Sequence, residues 1–578
     1  MNKTIVIPAA GTGSRLGEYT QNYNKAMCTL GAKPVISYII EKFDDSDEII
    51  ILLGYKGDLL KQVINMCYPN KNIQYVDVDK YEGPGSGLGR SLLCARELLQ
   101  KPFIFWSNDT VINDDISKFD YTSNWIMMPE KDTYDISNNA AYRHGKLNDK
   151  QNIVYSILPK GDFDEAGMKT RPYIGISFIK NYKEFWTAAD MNKDVFINGG
   201  ESIGINNIRE PIKAYFTSSW IDTGNKKIFE KYKKIYNQQM DETILEKPDE
   251  AIWFIDDRVV KFHLSETFIS DRIKRAKSLS IDKDLKRAGF EIPEIIDHDK
   301  NIYVMKRCQG TTLSKIINPV LFKELIEKYF NAVKIYSTIF EREFMEGSNP
   351  SDDQIKKAHE ESEKDRNEFK IKIYKEFYLD KTIKRINDYC KKLEDSDKDD
   401  FYINGLKCRS ALSIINSLDW KELAIKYCAQ SWEFHGDFHL ENIMYDEENK
   451  KFILLDWRQN FGKNNYIGDL YYDVAKMWHS LIVNHNMVKV DLFSIKYVGN
   501  NSVEIDIHRT FIDTECEEVL KQYLATSEKY DLKFSQLLTA VIFLNIAACH
   551  VYPYSKFLFY LGKYLINKYV NENEENNE

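Results

Sequence analysis

Pro8-Ala9-Ala10-Gly11-Thr12-Gly13-Ser14-Arg15-Leu16 follows the apolar run Thr4–Ile7 directly, so its glycines stand where a first strand hands over to a first helix. Such a loop exposes backbone amides, and because Gly11 and Gly13 carry no side chain, phosphate oxygens can come close to them. Outward from this loop, residues 1–235 alternate short apolar strands with helical stretches, the pattern of a parallel α/β sheet. Glu48–Leu53, Ile73–Val76 and Pro102–Trp106 read as further strands. Pro34–Lys42, Asp58–Met66 and Ser86–Leu99 read as helices, with Pro34 in a first turn where a missing amide hydrogen costs nothing.

The polar stretch 236–250, which contains Pro248, marks a linker. After it a strand pair, Ala251–Ile255 and Arg258–Phe262, turns through Asp256-Asp257; a helical stretch and a strand at Asn301–Lys306 follow. From about residue 313 the chain is mostly helical, so 251–570 reads as a small mixed lobe, 251–312, joined to a helical lobe, 313–570. The charged stretches Gly347–Lys370 and Lys391–Asp400 read as an exposed helix and a loop, and the polar tail 571–578 as disordered.

With 578 residues the chain is too long for one ordinary core, and about 150 residues per domain is the usual size. A net charge of −9, with Lys and Arg scattered among more numerous acids, argues against a nucleic-acid partner. The start of the chain lacks the basic-then-apolar pattern of a signal peptide, and Ala540–Ala548 is too short to span a bilayer and reads as a buried helix. Nine widely spaced cysteines without a Cys-x-x-Cys pair suit reduced thiols, and these features together predict a cytoplasmic enzyme without membrane insertion.

Spacing strengthens the glycine loop: Arg15 comes two residues after Gly13, and Asn24-Lys25-Ala26-Met27 lies about ten residues further on. The block resembles the nucleotidyltransferase family that makes activated sugars and CDP-choline, whose usual form is Ala-Ala-Gly-x-Gly-x-Arg-Leu followed by Pro-Lys-Ala-Met, with Asn24 here in place of the proline. The resemblance implies a doubly wound, Rossmann-like domain and extends to later elements. Gly83-Pro84-Gly85-Ser86-Gly87 resembles the loop that reads the base, so Ala10, Gly11, Gly13, Gly85 and Ser86 become nucleotide-binding candidates; an ordinary strand-to-helix turn is the alternative for the second loop. Asp109, after the strand ending at Trp106, and Asp222, in Trp220-Ile221-Asp222-Thr223-Gly224, resemble the metal-binding carboxylates. Arg15 and Lys25 would then neutralise the triphosphate as pyrophosphate leaves, with Mg²⁺ on the two aspartates. Lys160 resembles the lysine facing the acceptor phosphate, a solvated lysine being the alternative, and Tyr173 is a second candidate at the acceptor.

The second signature is His435-Gly436-Asp437-Phe438-His439-Leu440-Glu441-Asn442 with Leu454-Leu455-Asp456-Trp457. It resembles the choline kinase and aminoglycoside phosphotransferase branch of the protein-kinase-like fold, a bilobal α+β domain. By that resemblance Asp437 takes or orients the proton of the substrate hydroxyl, while Asn442 and Asp456 hold Mg²⁺ on the ATP phosphates. Lys261 resembles the strand lysine on those phosphates, and Met305 lies in the segment over the adenine. His435 is the family's structural brace, and neither it nor His439 has a partner at zinc spacing. Of Asp469 and Asp473, one would brace the catalytic loop; Asp469 is also a substrate-binding candidate, with a plain helix N-cap as its alternative.

Together the signatures imply phosphorylation of a small alcohol by ATP, then transfer of a nucleotidyl group from CTP to the new phosphate. This resembles a fused choline kinase and cytidylyltransferase. Choline needs an aromatic cage, and Trp432, Trp457, Tyr466, Tyr471, Tyr472 and Trp478 near the kinase motifs, like Trp106, Tyr173 and Trp220 near the other, are cage or core. Trp457 is the substrate-binding candidate among the former. Ethanolamine or another amino alcohol, or a sugar or polyol for a surface glycan, stays open, as does a non-catalytic, kinase-like binding domain.

Overall fold

The computed structural model describes residues 2–150, 152–164, 169–240, 249–280, 282–336, 363–464 and 467–575. The chain divides into two compact units, one of residues 1–241, 248–264 and 297–304 and the other of residues 242–247, 265–296 and 305–578.

The first unit is built on a ten-stranded sheet: β1 (Thr4–Pro8), β2 (Glu48–Leu53), β3 (Ile73–Asp77), β4 (Phe103–Trp106), β5 (Trp125–Pro129), β6 (His144–Leu147), β7 (Ile153–Leu158), β8 (Thr170–Pro172), β9 (Ile176–Ile179) and β10 (Ile212–Thr217). Their order is β8-β6-β7-β10-β5-β9-β4-β1-β2-β3. β1 lies between β2 and β4 and is parallel to both, with Val6 opposite Ile50 and Phe105. Burial on both faces explains why β2 reads as the unbroken run Ile49-Ile50-Ile51-Leu52-Leu53. The sheet is not purely parallel: β5 and β10 also pair parallel, but β9 runs antiparallel to β4 and β5, and β6, β7 and β8 add an antiparallel flank. From β1 the chain winds to β2 and β3 on one side and then returns to β4 on the other. The carboxyl ends of β1 and β4 therefore form a topological switch point, the usual place for a ligand in such a sheet.

Pro34 belongs to a two-stranded pair, Thr29–Leu30 with Lys33–Pro34, and the helix that follows is only Ser37–Ile40. A short edge pairing tolerates a residue without an amide hydrogen as well as a first helical turn does. The helix expected over 86–99 is shorter as well: α2 spans Leu88–Cys94, following α1 (Gly57–Cys67), and a 3₁₀ turn covers Arg96–Leu99.

The hairpin of β11 (Glu250–Ile255) and β12 (Arg258–His263) continues into β13 (Ile302–Lys306). Trp253, Ile255, Val260, Phe262, Ile302 and Val304 belong to the same buried cluster as Ile36, Ile40 and Phe43. Two hydrogen bonds reinforce this, Phe254 N–H to the Ala32 carbonyl at 2.8 Å and Trp253 Nε1 to Thr29 Oγ1 at 3.0 Å. By packing, the hairpin that sequence assigns to the small lobe 251–312 completes the core of the first unit. Most of the linker 236–250 lies outside the described residues.

The second unit is largely helical. Its elements include α3 (Glu266–Ser280), α4 (Lys381–Leu393), the hairpin β14 (Ile443–Asp446) with β15 (Lys451–Leu454), α5 (Leu470–Ile482), α6 (Leu532–Ala547) and α7 (Tyr554–Glu575). A helix over Glu363–Tyr374 runs through a π-helical turn, Lys375–Asp380, into α4. Residues 540–547 lie in the buried helix α6, and among the described residues no helix is long and apolar enough to cross a membrane. The tail expected to be disordered from 571 is helical as far as Glu575. Of the stretch 347–370, residues up to 362 lie outside the described set, as does Tyr466.

Candidate active sites

In the first unit the glycine loop leaves β1 and turns at Gly13, whose φ of 67° lies in the left-handed region. A Cβ there would also come within 2.9 Å of Thr20 Cγ2, so both conformation and space call for glycine. No atom lies within 4 Å of the Cβ direction of Gly11, which leaves that side of the loop open. Asn24, the departure from the family's proline, is fully buried. Its Nδ2 donates to the carbonyls of Ala9 (2.8 Å) and Tyr55 (2.7 Å), and its Oδ1 accepts from Ala26 N–H at 3.0 Å. These bonds fix the 3₁₀ turn Lys25–Met27 beneath the loop, where a proline could supply rigidity but no donor.

Lys25 Nζ reaches Asp109 Oδ2 at 2.8 Å, Ser107 Oγ donates to Asp109 Oδ1 at 2.5 Å, and the exposed Arg15 guanidinium stands 3.9 Å from Asp109. Asp222 is delivered beside Asp109 by a short antiparallel pairing in which it lies opposite Thr110. Thr223 N–H also donates to the Asp109 carbonyl at 2.9 Å. The Asp222 carboxylate accepts from Tyr142 OH and from Gly224 N–H, each at 2.9 Å. A Cβ on Gly224 would lie 2.7 Å from Asp109 Oδ2 and 3.2 Å from both Asp222 Oδ1 and Arg15 Nη2, so the two carboxylates and the guanidinium converge over this glycine. Burial works against the charge on Asp109, but the Lys25 ammonium and the hydrogen bonds from Lys25 and Ser107 hold it below the ordinary carboxylate value. Asp222 moves up, through burial and then through the neighbouring charge of Asp109. A cation between them would relieve that repulsion.

Lys160 is exposed on the turn after β7; partial burial lowers its pKa first, and Arg15 and Arg143 lower it further, while Asp109 and Asp222 oppose them. It therefore feels the charges of this same cluster. Tyr173, a substrate-binding candidate, is buried with its hydroxyl on Ser177 Oγ at 3.3 Å. Ser86 closes an exposed turn by donating from Oγ to the Gly83 carbonyl at 2.7 Å, and Gly85 adopts φ 84°. Ala10 is buried beneath the loop, and its carbonyl accepts from Tyr55 N–H at 2.9 Å. Sequence reasoning missed Tyr142 and Arg143, which sit in no motif, and Glu201, whose buried carboxyl is pushed up to about 7 by desolvation, with Arg143 opposing.

In the second unit the loop 435–442 is held from below by α5. Asp473 accepts from the N–H groups of His435 (2.8 Å) and Gly436 (2.6 Å) and from Tyr329 OH (2.8 Å), so of the two acids it is the one that braces this loop. One turn along the same helix, Lys476 Nζ lies 2.7 Å from Asp437 Oδ1. Asn442 Nδ2 donates to the Asp437 carbonyl at 3.0 Å and to its Oδ2 at 3.2 Å. Burial raises the cost of charge on Asp437, yet Lys476 and then His439 outweigh it and keep the carboxyl ionised well below its ordinary range. His439 continues to Glu441 at 3.0 Å, and His435 is a buried neutral ring whose Nδ1 accepts from Asp437 N–H at 3.2 Å.

Asp456 follows β15 with a φ of 55°, a left-handed conformation that aspartate tolerates better than most residues. The hydrogen bond from Leu455 N–H to the Asn442 carbonyl, 2.7 Å, ties its strand end to the catalytic loop. Arg272 of α3 pairs with the Asp456 carboxylate, and its Nε donates to Gln459 Oε1 at 3.3 Å. No motif announced this arginine. Trp457 and Asp469, expected at the substrate, are instead supports. Trp457 is fully buried with Nε1 on the Arg272 carbonyl at 3.2 Å, and Asp469, equally buried, caps α5 through Tyr471 N–H (3.2 Å) while accepting from Ala429 N–H at 3.1 Å. Trp478, with Nε1 on Glu517 at 3.0 Å, and Tyr471 are core as well. Lys261 is buried on β12 in the first unit, and Met305 is buried on β13.

The N-terminal region is similar to known proteins that include nucleotidyltransferases. The bifunctional protein GlmU of Methanococcus vannielii is 29% identical over 115 residues, 20% of this chain and 26% of its own length. UTP–glucose-1-phosphate uridylyltransferase of Escherichia coli K12 is 32% identical over 139 residues, 20% of this chain and 46% of its own length. The chain thus spans between a quarter and half of these relatives. Among solved structures, the CTP:phosphocholine cytidylyltransferase of Streptococcus pneumoniae is 19% identical and aligns over 41% of this chain and 99% of its own, with a TM-score of 0.32. No profile of a known protein family matches the chain.

Proposed function

We propose that the protein performs two consecutive transfers: ATP phosphorylates a small alcohol in the second unit, and a nucleotidyl group from CTP is joined to the resulting phosphate in the first. In the first unit the glycine loop and Ser86 loop bind the nucleotide, and Lys25 and Arg15 offset the charge that gathers as pyrophosphate departs. The acceptor phosphate oxygen, drawn in by Lys160, attacks the α-phosphorus. Asp109 and Asp222 fit a hard cation, since two carboxylates converging over Gly224 offer it oxygen donors. Mg²⁺ held by Asp109 and Asp222 would supply positive charge against the charge developing on the phosphates.

The observation that carries the kinase reading is Asp437 itself: a half-buried carboxylate held ionised by Lys476 at 2.7 Å and oriented by Asn442 at 3.2 Å. Such a group accepts the hydroxyl proton of the acceptor, and Asn442 and Asp456 would supply hard oxygen donors for Mg²⁺ at the ATP phosphates. Choline, an amino alcohol, and a sugar or polyol are the competing acceptors. The test is incubation with ATP, CTP, Mg²⁺ and a mixed alcohol pool, with mass spectrometry of CDP-linked products. ATP consumption abolished by Asp437→Ala and Asp456→Ala supports the kinase; intact nucleotidyl transfer with no alcohol phosphorylated refutes it, and a preference for UTP over CTP refutes the cytidylyl assignment.

A further inference from the structure

Beside Asp437 the second unit gathers cations that its own acids do not answer. The π-helical turn before α4 presents the buried ring of Phe377, and the first residue of α4, Lys381, places its ammonium 3.9 Å from that ring's centroid and 5.8 Å from that of Tyr472. Arg458 stands over the same two rings, with its guanidinium carbon 5.0 Å from Phe377 and 5.9 Å from Tyr472. Arg458 is welded to the catalytic loop: its N–H donates to the His435 carbonyl at 2.7 Å, and its Cβ packs so close to Gly436 that a Cβ on that glycine would lie 2.4 Å away. Two cations therefore share one aromatic floor within one residue of the catalytic aspartate.

Among the described residues no carboxylate forms an ion pair with Lys381, Arg385 or Arg458. Acids nearby are committed elsewhere: Asp437 to Lys476 at 2.7 Å, Asp473 to the loop amides, Asp380 to Lys375 at 2.8 Å, and Glu376 to Lys463 at 3.9 Å. The Lys381 ammonium is driven well below its ordinary value by burial and then by Arg458, Arg385 and Lys476. Like charges brought together in a low-dielectric place are unfavourable unless an anion completes them. A quaternary ammonium, by contrast, would find the ring faces already occupied by cations.

Resting on the kinase reading above, we propose that the alcohol phosphorylated at Asp437 is itself an anion, a hydroxy acid or a phosphorylated polyol, whose carboxylate or phosphate is held by Lys381 and Arg458. Its hydroxyl proton passes to Asp437, the oxygen forms a bond to the γ-phosphorus of ATP, and the bond from that phosphorus to the β–γ bridging oxygen breaks, its electron pair leaving with ADP. The shared chemistry is an oxyanion, and the γ-phosphate of ATP is the other source of one.

The full chain is assayed for ATP consumption with matched probes: glycerate, gluconate and glycerol phosphate as anions, glycerol and glucitol as neutral counterparts, and choline and ethanolamine as cations. The expected result is at least one anionic probe with kcat/KM about tenfold or more above its neutral counterpart and above choline. Lys381→Gln should raise KM for that probe about tenfold or more with KM for ATP unchanged, and Lys381→Arg should restore most of the loss. Turnover led by choline or a neutral polyol overturns the proposal and leaves the kinase reading standing. A rise in KM for ATP matching that for the alcohol assigns the cations to the nucleotide and also overturns it. Absence of ATP consumption with every probe refutes the kinase reading together with the proposal.

Discussion

Replacing Gly224 with alanine tests the two-carboxylate site with a single methyl group. Gly224 does not have a left-handed φ, so alanine introduces no backbone strain, and the perturbation is purely one of space. The added carbon would lie 2.7 Å from Asp109 Oδ2 and 3.2 Å from Asp222 Oδ1 and Arg15 Nη2. Asp109 must retreat by several tenths of an ångström to reach ordinary contact, and it cannot do so freely because Lys25 and Ser107 hold both of its oxygens. A misplacement approaching 1 Å at a reacting centre costs on the order of 100-fold in rate. The expected outcome is a fall of about 10- to 100-fold in pyrophosphate release from CTP, a higher Mg²⁺ requirement, and an unchanged rate of ATP consumption at Asp437. Melting temperature and circular dichroism establish that the variant is folded. A folded Gly224→Ala protein with wild-type pyrophosphate release would refute the placement of the transferase centre between Asp109 and Asp222.

Lys476→Met removes the principal counterion of Asp437, so the acid limb of the phosphotransfer pH profile should move upward; superimposable limbs would remove Lys476 from the account. Arg272→Met leaves the Asp456 charge without its buried partner, a loss of about 3–5 kcal/mol where such pairs are broken. The metal-free variant should melt lower than wild type and gain more from Mg²⁺ with ATP, and equal gains in both proteins would contradict the assignment of Asp456 to the metal. Glu201 has a folded pKa of about 7 against 4.5 for an unperturbed glutamate, so the fold holds its proton more tightly than the unfolded chain does. Its contribution to stability is accordingly present below about pH 4.5 and lost as pH rises to about 7, and Glu201→Gln should flatten the fall in melting temperature across that window.

The parallel strands of the first unit were legible because burial on both faces writes uninterrupted aliphatic runs such as Ile49–Leu53, and the two loop motifs were legible by their residue types at fixed spacing. Pro34 misled because an edge pairing and a helical first turn make the same demand on proline. The hairpin 250–263 reads as the start of a new domain along the chain, but its apolar face is claimed by Ile36, Ile40 and Phe43, far back in sequence. Lys476, Arg272 and Lys381 escaped notice for a related reason. Each acts on a motif residue from a different helix, and lysine or arginine on an amphipathic helix ordinarily signifies a solvated face. Asp469 and Asp473 show the limit most plainly: both are buried acids near the start of one helix, and only their partners, the Tyr471 and Ala429 amides in one case and the His435 and Gly436 amides in the other, tell a cap from a brace.

The π-helical turn Lys375–Asp380 is an α-helix carrying one surplus residue. Deleting a single residue there would restore the regular ladder but rotate one half of the helix against the other by about 100°. The helix over Glu363–Tyr374 and α4, which carries Lys381, would then be turned against each other, so only one of the two could keep its present face to the rest of the lobe. If Lys381 and Arg458 hold the acceptor as proposed, one codon's insertion or loss would change acceptor choice and leave the loop 435–442 untouched. Chains that retain His435–Asn442 but lack the surplus residue should handle alcohols of a different charge.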